Sequence, residues 1–360
     1  MKRRIAYWDN LKYLMIVFVV LGHFVLENNS GIASPFYKSL GTFIYLFHMP
    51  VFFFISGYFF RKKSALWNAL TYLIYAVVTK LILYAGKWAA YLVAIKLLGK
   101  KTDFEPGTIS FIWFNDIAWF LIVLAVFELL MFFLDKVNVK VLLVITIIIG
   151  CIMGYIDGIG FKSDVGDYFA WYRILLMFPF FVVGKLLKEY DLVEKLRKRS
   201  GIRVLGGIVI VAVFVCFVLN PQNISNLTAL FSGRNSYDVI GELWGSTIIT
   251  PNIMNKYGLF IRIAAYVLSF TMIMSWSLII PDKKIPIITK CGGKTILIFM
   301  FHYLGVYFVN AMGWSSMIAT RGGKVAFILI AIGWTLILSL IVYKVPDVIK
   351  LGISKIRNRE

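Results

Sequence analysis

The sequence predicts an all-α polytopic membrane protein of about ten transmembrane helices, with both termini cytoplasmic. Three observations carry that expectation. Of the 360 residues, 60% are hydrophobic and only 16% are charged, whereas a soluble globule ordinarily carries about 25% charged residues. Apolar stretches near the length of about 20 residues that spans a bilayer recur along the whole chain. Lys and Arg divide unevenly between alternate connecting segments: with the N-terminus inside, 24 fall on inside segments and 9 on outside ones, as the positive-inside rule requires.

The spans are expected near 8–27, 41–60, 69–97, 117–134, 141–157, 171–187, 204–220, 259–280, 295–312 and 325–343. The first follows the basic MKRR and lacks a small-residue cleavage motif, so it reads as a retained helix rather than a signal peptide. The second contains FHMPVFFFISG (47–57). Pro50 there removes a backbone donor and clashes with the carbonyl four residues back, at Leu46. The third span is overlong and interrupted by Lys80, Lys87 and Lys96, so it extends beyond the bilayer or runs along its surface. DKVNVK joins the fourth and fifth spans on the inside, and Trp171, Tyr172 and Arg173 open the sixth from the outside. After the seventh comes the longest outside loop, 221–258, polar and glycine-rich with Asp238, Glu242 and Trp244. A loop of that length reads as functional or disordered. Its N-x-S/T triplets at Asn223 and Asn226 match a glycosylation pattern that arises easily by chance. The inside segment PDKKIPIITKCGGK separates the eighth span from the ninth. No fixed-period repeat is evident, and residues 1–360 read as one integral membrane domain.

The net charge of +20 does not indicate nucleic acid, because the basic residues flank apolar spans. Cys151, Cys216 and Cys291 show no metal-ligand spacing and no disulfide framework, so they read as packing residues and no metal site is expected. Phosphate-binding glycine loops and G-x-S-x-G elbows are absent; KCGGK at 290–294 lacks the Walker spacing.

Ionisable residues inside spans are costly and point to function. The 11 residues from Lys12 to His23 turn a helix through about 1100°, which puts both within about 20° of one face. Asp9 lies about 40° to the other side of that line. Lys12 either snorkels to the headgroups or serves the site. His48 falls at a depth similar to His23, on the next span. His302, in KTILIFMFHYLGVYF, completes a set of three histidines, all within spans. A neutral buried imidazole suits a general base. Arg173 is either an interfacial anchor or an electrophilic clamp. Ser56 is either bonded back to its own helix or a polar group of the site. Arg61, Lys62 and Lys63 are an ordinary positive-inside flank or a phosphate-binding edge.

These segments resemble the acyltransferase-3 membrane proteins, in particular the fucose 4-O-acetylase-like branch. The resemblance rests on YWDNLKYLMIVFVVLGHF (7–24), YLFHMPVFFFISGYFF (45–60), AWFLIVLAVFELL (118–130), YRILLMFPFFVVGKLL (172–187) and KTILIFMFHYLGVYF (294–308). It implies an enzyme that moves an acetyl or other acyl group from cytoplasmic acyl-CoA, a co-substrate, to a hydroxyl of a surface or lipid-linked glycan, in the cytoplasmic membrane of a bacterium. Lys12 and His23 match the family's pattern of a basic residue, ten others, then histidine. The resemblance makes His23 the prime catalytic candidate, supported by Asp9, Lys12 and His48. Arg173, His302, Ser56 and Trp119 become candidates for substrate contact or oxyanion stabilisation, and Arg61, Lys62 and Lys63 for the donor phosphates. Many members carry R-x-x-R after the Ser-Gly segment. Here Ser64 stands at the second position, so Lys62 or Lys63 would substitute. A proton-coupled transporter of glycans or lipid-linked sugars is the alternative, since intramembrane His and Lys and broken helices suit transport as well.

Overall fold

The computed structural model describes residues 6–27, 34–97, 99, 106–156, 164–220, 227–244 and 249–344. The MKRR segment, most of the basic tail, Asn223 and Asn226 lie outside the described residues. Among the described residues, sixteen α-helices make the fold: α1 (Ala6–Glu27), α2 (Pro35–Tyr45), α3 (His48–Tyr58), α4 (Lys62–Leu92), α5 (Trp119–Phe133), α6 (Val139–Met153), α7 (Trp171–Glu189), α8 (Leu192–Arg197), α9 (Ser200–Leu219), α10 (Thr228–Phe231), α11 (Tyr237–Trp244), α12 (Pro251–Ile279), α13 (Pro286–Gly292), α14 (Thr295–Phe301), α15 (Tyr303–Ala311) and α16 (Arg321–Lys344). The same residues contain no strand, only an isolated bridge between Trp113 and Tyr168.

Each of the ten expected segments is helical, but their lengths differ. Among the described residues six helices are long and apolar enough to cross a membrane, and a seventh span results if α13 and α14–α15, bent by 78°, are one broken crossing. Helices α5 and α6 have 15 residues each, about 22 Å of rise against a hydrocarbon core of about 30 Å.

Three boundaries differ from expectation for local reasons. Residues 251–258 begin α12 rather than end a loop: Thr250 accepts from the Ile253 amide at 3.3 Å and Pro251 occupies the first helical position, where a missing N–H costs nothing. Pro286 likewise starts α13 inside a segment expected to be loop. Its Gly292 lies so close to α1 that a Cβ would fall 1.9 Å from the Asp9 carbonyl oxygen. The overlong third span is one continuous helix, α4, followed by a π-turn over Val93–Leu97.

The expected break in the second span falls between α2 and α3, at Leu46–Phe47. The Leu46 carbonyl, displaced by the Pro50 ring, accepts instead from Ser269 Oγ on α12 at 2.9 Å. Below the break, α3 and α7 touch backbone to backbone. A Cβ on Gly57 would sit 1.8 Å from the Phe181 oxygen, and one on Gly184 2.1 Å from the Phe54 oxygen. Only glycine permits this approach. The aromatic core of Phe53, Phe120, Phe127, Phe178 and Phe181 packs around this contact.

Candidate functional site

The C-terminal part of α1, the α2–α3 break and the N-terminal ends of α5 and α7 converge on one end of the bundle. There they enclose a cavity of about 530 Å³ lined by His23, His48, Trp119 and Arg173 among others. Small-molecule sites commonly fall between about 300 and 1,000 Å³. The bundle end is thus large enough to hold a reacting group.

Two of the three histidines, His23 and His48, line this cavity, and His302 packs against His23. The His23 and His302 ring centroids lie 5.2 Å apart. Tyr45 bridges the other pair, 6.5 Å from the His23 ring and 4.8 Å from that of His48. Each of the two buried rings is held by its own helix break. His48 Nδ1 lies 2.7 Å from the Ile44 oxygen, and His302, in the turn between α14 and α15, places Nδ1 2.6 Å from the Phe299 oxygen. A carbonyl only accepts, so Nδ1 carries the proton in both. In the neutral ring that leaves Nε2 with its lone pair. His302 Nε2 is buried with no hydrogen-bond partner among the described residues. A fixed tautomer with an unspent lone pair is what a general base needs.

Arg173 is 6% exposed, so its guanidinium lies inside the protein rather than on its surface. Its guanidinium lies 4.5 Å over the Trp119 ring, donates to the Phe114 oxygen at 3.2 Å and pairs with Asp167 at 3.4 Å. Asp167, itself 1% exposed, also accepts from Arg234. Beside them Lys80 pairs with Asp116 at 2.9 Å and donates to the Trp113 oxygen at 2.6 Å. Paired charges, Arg173, Asp167 and Lys80 among them buried, thus flank the cavity.

The other candidates lie elsewhere. Lys12 pairs with Asp9 at 2.9 Å in the first turns of α1, about 16 Å of helix rise from His23. The Ser56 hydroxyl donates to the Phe52 oxygen at 3.0 Å, the back-bonded state open to any helical serine, and it does not line the cavity. Arg61, Lys62 and Lys63 are exposed at the start of α4, where Lys62 shares Asp135 with Lys185. The 13 residues from His48 to Arg61 correspond to about 20 Å of helix.

Sequence reasoning missed Tyr45, Tyr303, Asp116, Asp167 and Arg234. The 221–258 segment was singled out, but Thr228, Ser232 and Arg234 line the cavity rather than Asp238, Glu242 or Trp244. No group of three or more potential metal ligands occurs among the described residues.

The profile of the acyltransferase-3 family, described as an acyltransferase domain, matches residues 5–344. No curated protein and no solved structure matches the chain.

Proposed function

We propose, for a chain that belongs to the acyltransferase-3 family and carries several helices able to cross a membrane, that it transfers an acyl group, most simply acetyl, from acyl-CoA to a hydroxyl of a cell-envelope glycan at the histidine cavity. The observation that carries this reading is the pair His23 and His48 on one cavity, with His302 packed against His23 and Nδ1 of His48 and of His302 tied to carbonyl oxygens. A histidine Nε2 takes the proton of the acceptor hydroxyl as that oxygen bonds to the thioester carbonyl carbon. The Arg173 guanidinium, with free capacity at its buried Nε, stabilises the oxyanion. The C–S bond then breaks, and the histidinium returns its proton to the departing CoA sulfur. General-base assistance of this type is worth about 10²–10⁴ in rate.

In the same reading all ten helical segments cross the cytoplasmic membrane of a bacterium, α5 and α6 being the shortest crossings. Both termini and the Arg61–Lys63 cluster then face the cytoplasm, and the cavity opens toward the outside. Arg61, Lys62 and Lys63 meet the donor phosphates, and the thioester arm covers the roughly 20 Å of helix rise to His48. The family match favours transfer over transport of a glycan. Purified protein given radiolabelled acetyl-CoA and cell-envelope fractions is expected to label a glycan in an alkali-sensitive ester. Absence of labelling in every fraction would overturn the reading.

A further inference from the structure

A second cavity of about 380 Å³ adjoins the first, sharing Asn115 and Asp116 with it. One face of α4 lines it with Lys80, Leu83, Tyr84 and Lys87, the 3-4-7 spacing of a single helical stripe. The two chambers are also one turn apart on α15: Tyr303 lines the first and Tyr307 the second, their rings 5.0 Å apart. Four residues of helix are about 6 Å, the scale of one sugar ring.

The charges of this double chamber do not balance. Among the described residues its lining holds four cations, Lys80, Lys87, Arg173 and Arg234, and two carboxylates, Asp116 and Asp167. Lys80 is matched by Asp116, while Asp167 is shared by both arginines. Lys87 has no carboxylate within ion-pair distance among the described residues. Its ammonium lies over the Tyr307 ring, 5.7 Å from the centroid. Thr108 and Ser110 line the same chamber with hydrogen-bonding groups. A half-buried, unmatched ammonium in a polar chamber is a ready partner for a carboxylate or phosphate, which lysine meets as a point charge.

We propose that the second chamber is an acceptor subsite in which Lys87 binds an anionic group, carboxylate or phosphate, on the sugar unit next to the one that is acylated. The inference rests on the acyltransferase reading for what enters the first chamber. It makes the enzyme selective for acidic glycans and gives a role to the lysine seven residues beyond Lys80 on the same helical stripe.

The test measures binding without donor. Purified full-length protein in phosphatidylcholine nanodiscs is titrated with three matched oligosaccharides: one carrying a hexuronate, one a sugar phosphate, and one neutral. The wild type should bind at least one anionic ligand about tenfold tighter than the neutral one, about 1.4 kcal/mol. Lys87→Gln should bring that ratio close to one, and Lys87→Arg should restore most of it. Should Lys87→Gln not yield monodisperse protein, a salt titration of the wild type decides the matter, since the ratio should fall as ionic strength rises. Equal affinity of the wild type for all three, or a preference untouched by Lys87→Gln or by salt, overturns the proposal. So does an anion preference that is lost only when phosphatidylglycerol replaces phosphatidylcholine in wild-type discs, which would make lipid headgroups the occupant. Charge-selective binding without transfer from acetyl-CoA would remove the enzyme reading and leave the anion site; transfer without charge preference would do the reverse.

Discussion

The two ends of the helical bundle carry charge in opposite ways. At the cavity end Arg173, Asp167 and Lys80 are each at most 6% exposed and are tied into ion pairs and carbonyl contacts. At the other end Arg61, Lys62 and Lys63 are exposed, and Lys62 meets a half-buried Asp135 at 3.5 Å. Buried charges that lose a partner are heavily penalised, whereas exposed pairs contribute little. The cavity end is thus a preorganised site, and the opposite end is an adaptable basic surface. On the proposed function these are the places for chemistry and for donor capture. Variants at the two ends should therefore separate cleanly into effects on kcat and effects on KM.

The largest effect is expected at the cavity end. His23→Ala should lower kcat for acetyl transfer by about 10²–10⁴ while the thermal midpoint of the purified protein stays near that of the wild type. Unchanged turnover would break the comparison at its strongest point. Arg173→Gln should follow with a loss of about 10²–10³ in kcat if its guanidinium meets the oxyanion. The variant also leaves Asp167 with Arg234 as its remaining guanidinium partner, so the thermal midpoint is measured beside turnover; a fall in stability at full turnover would make Arg173 structural.

At the other end the effects should be smaller and of another kind. Combined Lys62→Gln and Lys63→Gln should raise KM for acetyl-CoA about tenfold, the loss of about 1.4 kcal/mol of binding, and saturating donor should restore kcat. A fall in kcat that donor cannot rescue would place chemistry at this end too. The smallest effect concerns acid stability. Hydrogen bonding and charge from Lys185, with Lys62 adding to them, hold the Asp135 carboxyl below the usual carboxylate range. Its contribution is therefore present above the unfolded value of about 3.9 and fades as pH falls through the lower folded value. Asp135→Asn should shift the thermal midpoint slightly at pH 7, and the difference from wild type should vanish in strong acid. A difference independent of pH would assign Asp135 a packing role.

What the sequence made legible was local. The helix break beside His48 follows from the Pro50 ring and the carbonyl four residues back. The separation of His23 from Lys12 along α1 follows from 11 residues of helix, and Ser56 took the back-bonded option its position allows. The rest was hidden because it is tertiary. Arg234 reaches Asp167 across 67 residues of chain, and no periodicity links them. Lys80 looked like an interruption of a span, and only the fold brings Asp116 to it. Helix α13 was obscured by the charges of PDKK, although Pro286 at its first position was a usable start signal. Lys12 and His23 share a face as expected, yet the helix keeps them at different ends of the molecule, so their alignment did not become a contact.

The central claim is that the histidines act as one unit on a transferring acyl group. Single-turnover transfer from labelled acetyl-CoA, measured for His23→Gln, His302→Gln and the double variant, tests it most directly. Residues acting as a unit give losses that do not multiply. The double variant should lie within about threefold of the worse single variant. Losses that multiply, or full activity in His23→Gln, would contradict the account.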